Sequence, residues 1–152
     1  MKALILAAGL GSRLAPITDN CPKAMVPVNG KPILIKQIDN LLDNRINDIT
    51  VIAGYKAEVL SKTISRIFPD VNIIINQDYS TTNNMYSAYL GRESMGNDDF
   101  LMLNGDVFFD SSVIKTLCEL DSQNAIVTDI GRYLEESMKV INKNGRLIKI
   151  SK

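Results

Sequence analysis

The chain has no histidine and no tryptophan, and only two cysteines, Cys21 and Cys118. Without histidine there is no Ser-His-Asp or Cys-His catalysis, no His-ligated zinc and no imidazole general base. The cysteines form no Cys-x-x-Cys pair and read as reduced thiols of a cytoplasmic protein, packed as small hydrophobes. Charge of one sign is also missing. Seventeen Lys and Arg balance seventeen Asp and Glu, so no broad basic field exists for duplex nucleic acid or an anionic membrane. No apolar run approaches the ~20 residues of a membrane span, and no signal peptide precedes the first apolar run. What remains for chemistry is carboxylates, Lys, Arg, hydroxyls, backbone amides and hard metal ions.

The 152 residues, 45% hydrophobic and 22% charged, match a single globular domain of ordinary composition. Short apolar runs alternate with amphipathic stretches. Lys2–Ala7, 48–53, 71–76, 100–103 and 125–128 read as strands. Leu34, Ile38, Leu41 and Leu42 share a helical face, as do Leu60, Ile64, Ile67 and Phe68 ahead of Pro69. Asn83 or Asn84 can cap a helix running to about Ser94, and Ser111 or Ser112 can cap a helix carrying Val113, Ile114, Leu117 and Leu120. Residues 138–141 and 147–150 flank Asn144-Gly145, a hairpin signal. Alternating strands and helices predict a three-layer α/β fold, and the closing hairpin makes its predominantly parallel sheet a mixed one. Ligands of such sheets sit beyond the carboxyl ends of the strands. The segments 8–23, 77–84 and 104–106 all follow strands, which places them on one rim.

Each of these segments carries chemistry. In Ala7-Ala8-Gly9-Leu10-Gly11-Ser12-Arg13-Leu14, the glycines admit close approach of a polyphosphate. Free amides around Ala8, Gly9 and Gly11 can face its oxygens, and Arg13 offers a charged fork. Leu14 stands where a dinucleotide-binding loop has its third glycine, and no Gly-Lys-Ser/Thr is present. A plain tight turn is the alternative. Pro22 and Pro27 stiffen the segment that carries Lys23; a solvated surface lysine is the alternative there. Asp106 in Asn104-Gly105-Asp106 suits one carboxylate ligand of Mg²⁺, or a turn aspartate. The polar run 76–87 supplies amides and hydroxyls that can read a base edge, with Tyr79 or Tyr86 as an apolar wall, or that can cap a helix.

Joined, the run from Gly9 through Thr18 and the run Pro22-Lys23-Ala24-Met25-Val26-Pro27-Val28-Asn29-Gly30-Lys31-Pro32-Ile33 resemble the signature of the sugar-phosphate nucleotidyltransferase superfamily. The resemblance implies a Rossmann-like nucleotidyltransferase fold. It also implies Mg²⁺-dependent transfer of a nucleotidyl group from a nucleoside triphosphate to a small phosphorylated acceptor, with release of pyrophosphate. It implies that Gly9, Gly11 and Arg13 hold the triphosphate, that Lys23 neutralises charge at the α-phosphate, and that Asp106 binds the metal. The arrangement of Tyr79, Asn83, Asn84, Tyr86, Ser87 and Tyr89 is similar to the phosphocholine-type cytidylyltransferases, which implies CTP and makes Asn84 the leading base contact. The alternatives are a sugar-1-phosphate nucleotidyltransferase using UTP, dTTP or GTP, and a non-catalytic nucleotide-binding domain.

An ionised phosphomonoester needs no general base, which agrees with the missing histidine. Relatives of this type are longer, and their next segment supplies part of the acceptor pocket and a second carboxylate. Residues 1–152 are therefore expected to be a catalytic domain without that acceptor-binding segment. Three readings fit: a piece of a longer chain, a short protein completed by a partner or by its mate in a homo-oligomer, or a chain that has lost catalysis. The first is preferred. Asp129 or Glu135 is the candidate substitute for the second carboxylate.

Overall fold

The computed structural model describes residues 1–121, 124–129 and 138–151. They divide into two compact units, Met1–Glu119 and Leu120–Lys152.

In the first unit β1 (Lys2–Ala7) is followed by three single-turn helices and a small antiparallel ladder of β2 (Pro27–Val28) and β3 (Lys31–Pro32). Then come α1 (Ile33–Asp43), β4 (Ile49–Ala53), α2 (Ala57–Ile67), β5 (Asn72–Ile75), α3 (Asn84–Leu90), α4 (Arg92–Met95), β6 (Phe100–Asn104) and α5 (Ser111–Cys118). The central sheet has the order β5-β4-β1-β6, and every pair in it is parallel. β1 from Ala3 onward and β4 apart from the buried Thr50 are apolar because both faces are covered. Ala3, Ile5, Ala7, Ile49, Val51 and Ala53 pack with Leu34, Ile38, Leu41, Leu60, Ile64 and Ile114 from α1, α2 and α5. On the other face Leu4, Leu6 and Ile52 pack with Met95 of α4 and Ala88 of α3. The result is the expected three-layer α/β arrangement.

Several expectations shift in detail. Leu42 and Ile67 lie at the edges of their helical stripes and are exposed. The helix expected to reach Ser94 breaks at Gly91, where a Cβ would stand 2.5 Å from Leu4 Cδ1. Asp110, rather than Ser111 or Ser112, caps α5: its Oδ1 accepts from Ser112 N at 2.9 Å.

In the second unit residues 124–129 are exposed and form no strand, so the strand expected at 125–128 is not found there; exposure on this scale leaves an apolar run without the burial that favours a strand. β7 (Lys139–Lys143) and β8 (Arg146–Ser151) form the expected hairpin, turning at Asn144 and Gly145, both with positive φ (52° and 76°). Among the described residues this hairpin is a two-stranded sheet of its own, so it does not make the parallel sheet mixed.

Strand order puts the site in place. From β1 the chain moves outward through β4 to β5, then returns to the opposite side of β1 as β6. The ends of β1 and β6 therefore lie side by side where the strand order reverses, and ligands of open α/β sheets bind beyond the carboxyl ends of the strands at such a point.

Candidate active site

The loop after β1 is shaped by contacts that only glycine tolerates. Gly11 has φ +67°, and a Cβ there would stand 2.8 Å from Lys23 Cβ and 3.1 Å from Thr18 Cγ2. This close approach binds the glycine loop to the Lys23 segment. Thr18 Oγ1 donates to Gly11 O (3.0 Å), Leu14 N donates to the same oxygen (2.9 Å), and Tyr55 Oη donates to Thr18 O (3.1 Å). Gly9 differs: a Cβ there would meet nothing within 4 Å.

The turn after β6 comes up on the other side. Gly105 N donates to Leu6 O (2.8 Å), and a Cβ on Gly105 would lie 2.9 Å from that oxygen and 3.0 Å from Ala7 Cβ. A glycine is thus required where β6 hugs β1, and the next residue, Asp106, is delivered to the crevice. Its Oδ2 accepts from Lys23 Nζ at 2.5 Å. The two side chains are 41% and 36% exposed, so both heads of the ion pair are open to an incoming ligand.

Asn83 caps α3, its Oδ1 accepting from Met85 N (3.0 Å) and Tyr86 N (3.3 Å). That leaves the adjacent Asn84 free of the capping duty. The polar run ahead of it is pinned by the buried Asn76, whose Nδ2 donates to Thr82 Oγ1 (3.1 Å) and Ser87 Oγ (3.2 Å) and whose Oδ1 accepts from Asp78 N (2.9 Å).

These elements enclose a cavity of about 410 Å³, lined by Gly9, Gly11, Arg13, Lys23, Asn84 and Asp106 together with Leu10 and Leu14. The volume lies in the ordinary range for small-molecule sites. Residues picked out from four separate stretches of sequence thus meet in one place. Ala8 and Tyr79 do not line it. Ala8 is buried beneath the loop, its carbonyl accepting from Tyr55 N (3.0 Å). Tyr79 packs over Gly54, where a Cβ would be 2.7 Å from Tyr79 Cβ, and its ring meets Tyr55 edge-on at 6.2 Å between centroids. It lines a neighbouring cavity with Lys56, Glu58 and Gln77. Asp129 is exposed in the second unit, and Glu135 lies outside the described residues.

The donor set fits Mg²⁺ in a particular way. Among the described residues there is no cluster of three or more His, Cys, Asp or Glu side chains able to hold a metal ion. Asp106 is a single open carboxylate beside cationic side chains, which suits an ion that takes one or two carboxylates and completes its octahedron with phosphate oxygens and water.

Cys21 is partly buried next to Pro22, and burial pushes its thiol up; Cys118 is exposed, so it is not the packed small hydrophobe expected of it.

Sequence reasoning missed the amides of α1. Gln37 and Asn40 are fully buried. Gln37 Nε2 donates to Asn104 O (2.9 Å) and Val107 O (2.6 Å), and Asn40 Nδ2 donates to Phe109 O (2.8 Å). The signal was present: both amides sit on the apolar face of α1, next to Leu34, Ile38 and Leu41.

Comparison with known proteins places the chain in a family. Residues 2–138 match the family model described as nucleotidyl transferase. The chain is 44% identical over 110 residues to a choline-phosphate cytidylyltransferase of Streptococcus pneumoniae, covering 68% of this chain and 47% of that protein. It is 29% identical over 167 residues to a CTP:phosphoglutamine cytidylyltransferase of Campylobacter jejuni, covering 100% of this chain and 66% of that protein. The fold is shared with the inositol-1-phosphate CTP transferase of T. maritima, with a TM-score of 0.79 at 21% identity, covering 98% of this chain and 62% of that one. The chain spans about half the length of the pneumococcal relative. Among the described residues no helix is long and apolar enough to cross a membrane. A glycine loop after β1, a lysine held against it and an aspartate at the end of β6, on a chain matched over nearly its full length, make this protein a member of the nucleotidyl transferase family.

Proposed function

We propose that the chain is the nucleotide-binding part of a cytidylyltransferase, which moves a cytidylyl group from CTP to a small phosphorylated alcohol or amine and releases pyrophosphate. The observation that carries the reading is the meeting of Gly9, Gly11, Arg13, Lys23, Asn84 and Asp106 around one cavity. The named activities of the pneumococcal and Campylobacter relatives support CTP as the donor and a phosphorylated acceptor.

In this reading the backbone of the glycine loop lies along the triphosphate, with the open side of Gly9 toward it. Arg13 and Lys23 offset the repulsion between two anions, roughly 4 kcal/mol for unit charges ~4 Å apart at an effective dielectric of ~20. Lys23 leaves its ion pair with Asp106 to face the α-phosphate, where charge builds up. Asp106, released in turn, is the residue that holds Mg²⁺. When bound, that ion supplies further neutralisation at the phosphate oxygens. The acceptor phosphomonoester is already ionised near neutral pH, so no side chain has to remove a proton. Attack on the α-phosphorus in line with the departing pyrophosphate then completes the transfer. Asn84 contacts the base.

Pyrophosphate release tests this reading. With CTP, Mg²⁺ and a set of phosphomonoesters that includes choline phosphate, release is expected to depend on the acceptor. Tight CTP binding with no release from any acceptor would favour the non-catalytic nucleotide-binding reading.

A further inference from the structure

Burying an amide costs free energy unless its polar atoms are bonded. Gln37 is fully buried in the middle of α1, and its bonds are all spent on one target. Its Nε2 donates to the carbonyls of Asn104 (2.9 Å) and Val107 (2.6 Å). These residues flank Gly105-Asp106 on either side. The bond that closes the turn from within, Val107 N to Asn104 O, is long at 3.4 Å. One amide group therefore ties together both legs of the turn that presents Asp106. Both partners are carbonyl oxygens, so the NH₂ end must face them, and Oε1 is left with no hydrogen-bond partner among the described residues. An apolar side chain would fill this place at lower cost if packing were all it did.

We propose that Gln37 is a positioning residue for Asp106: by clamping the carbonyls of Asn104 and Val107 it holds the carboxylate where it meets Lys23 and a divalent cation. This rests on the reading of the cavity as a triphosphate and cation site. Asn40, equally buried on the same helix face, holds Phe109 O beyond the turn and serves as the comparison. If burial of an amide in α1 mattered only for stability, Gln37 and Asn40 would behave alike.

The test uses the full chain with Gln37→Met, which keeps the length of the side chain and removes both donors. Gln37→Glu, which in its protonated form returns one donor, and Asn40→Leu complete the set. Two readouts are taken. Amide exchange of the ligand-free protein is expected to quicken about tenfold or more at residues 104–107 in Gln37→Met, with β1 unchanged. Calorimetry of CTP with and without Mg²⁺ is expected to show the enhancement by Mg²⁺ falling about 10–100-fold, the usual effect of removing a partner that orients a metal ligand. Metal-free CTP affinity stays the same. Gln37→Glu falls between wild type and Gln37→Met, and Asn40→Leu keeps the enhancement whatever it does to the melting temperature. Unchanged exchange at 104–107 in both Gln37 variants would overturn the proposal. So would parallel loss of metal-free and Mg²⁺-loaded affinity. A wild-type chain that binds no CTP in either condition would instead overturn the functional reading, and the exchange experiment would still decide what Gln37 does.

Discussion

Lys23 and Asp106 stand 2.5 Å apart with both heads partly open to solvent. A pair in that setting contributes little to folding, typically under about 1 kcal/mol, and the proposed function gives it a role in binding and turnover instead. Lys23→Ala is therefore expected to leave thermal unfolding nearly unchanged while lowering kcat by ~10²–10³, the usual loss for one charge-stabilising donor. Unfolding and turnover measured on the same preparation separate the two effects, and an unchanged kcat would remove Lys23 from the chemistry. The two glycines of the loop make a sharper contrast. Gly11→Ala meets Lys23 Cβ at 2.8 Å and a left-handed φ, so both stability and nucleotide affinity are expected to fall. Gly9→Ala meets nothing of the protein within 4 Å. It is expected to fold as wild type and still lose about tenfold or more in triphosphate affinity, because the space it fills is the ligand's. A Gly9→Ala protein that binds triphosphate normally would show that no phosphate lies along that face.

Among the elements, α5 carries a titratable switch in its own stability. Ser112 N–H donates to Asp110 Oδ1, and this bond holds the Asp110 carboxyl below its ordinary value, with a smaller contribution from Lys36. A group whose folded pKa is depressed stabilises the fold above its unfolded value and loses that contribution as pH falls through the folded one. The loss therefore sets in below about pH 4. Asn caps helices as well as Asp but does not titrate. Between pH 7 and pH 3 the melting temperature is expected to drop further for wild type than for Asp110→Asn, and parallel curves would dissociate the cap from acid sensitivity. The elements were legible to different degrees for physical reasons. The continuous apolar runs of β1 and β4 and the stripes of α1 and α2 announce structures that bury what they show. The run at 125–128 is also mostly apolar but is exposed and forms no strand, because an apolar pattern makes a strand only where it is buried against neighbours. Asp110, Ser111 and Ser112 offer similar side chains at neighbouring positions, and backbone geometry makes Asp110 the one that faces the open N–H group.

At the scale of the whole molecule, the site follows from strand order. Segments far apart in sequence meet because β1 and β6 are neighbours in the sheet, so the loops that follow them start side by side. The glycine loop, Lys23, Asn84 and Asp106 each have a plain alternative when taken singly, and it is their joint spacing, which resembles the nucleotidyltransferase signature, that marks them in the sequence. Their distances are not marked there, and neither is the turning of Tyr79 into the neighbouring cavity, which depends on its packing over Gly54. Gln37 escaped notice because its meaning lies wholly in a contact with residues about seventy positions away. The account rests on one claim above the others, that this cavity takes a nucleoside triphosphate with a divalent cation and prefers cytosine. Calorimetric titration of the chain with CTP, UTP, dTTP, GTP and ATP, each with and without Mg²⁺, tests it most directly. The account predicts Mg²⁺-enhanced binding of CTP at least about tenfold tighter than the rest, a preference of ~1.4 kcal/mol. Preference for another base would contradict the cytidylyl assignment, and no binding of any triphosphate would contradict the site itself.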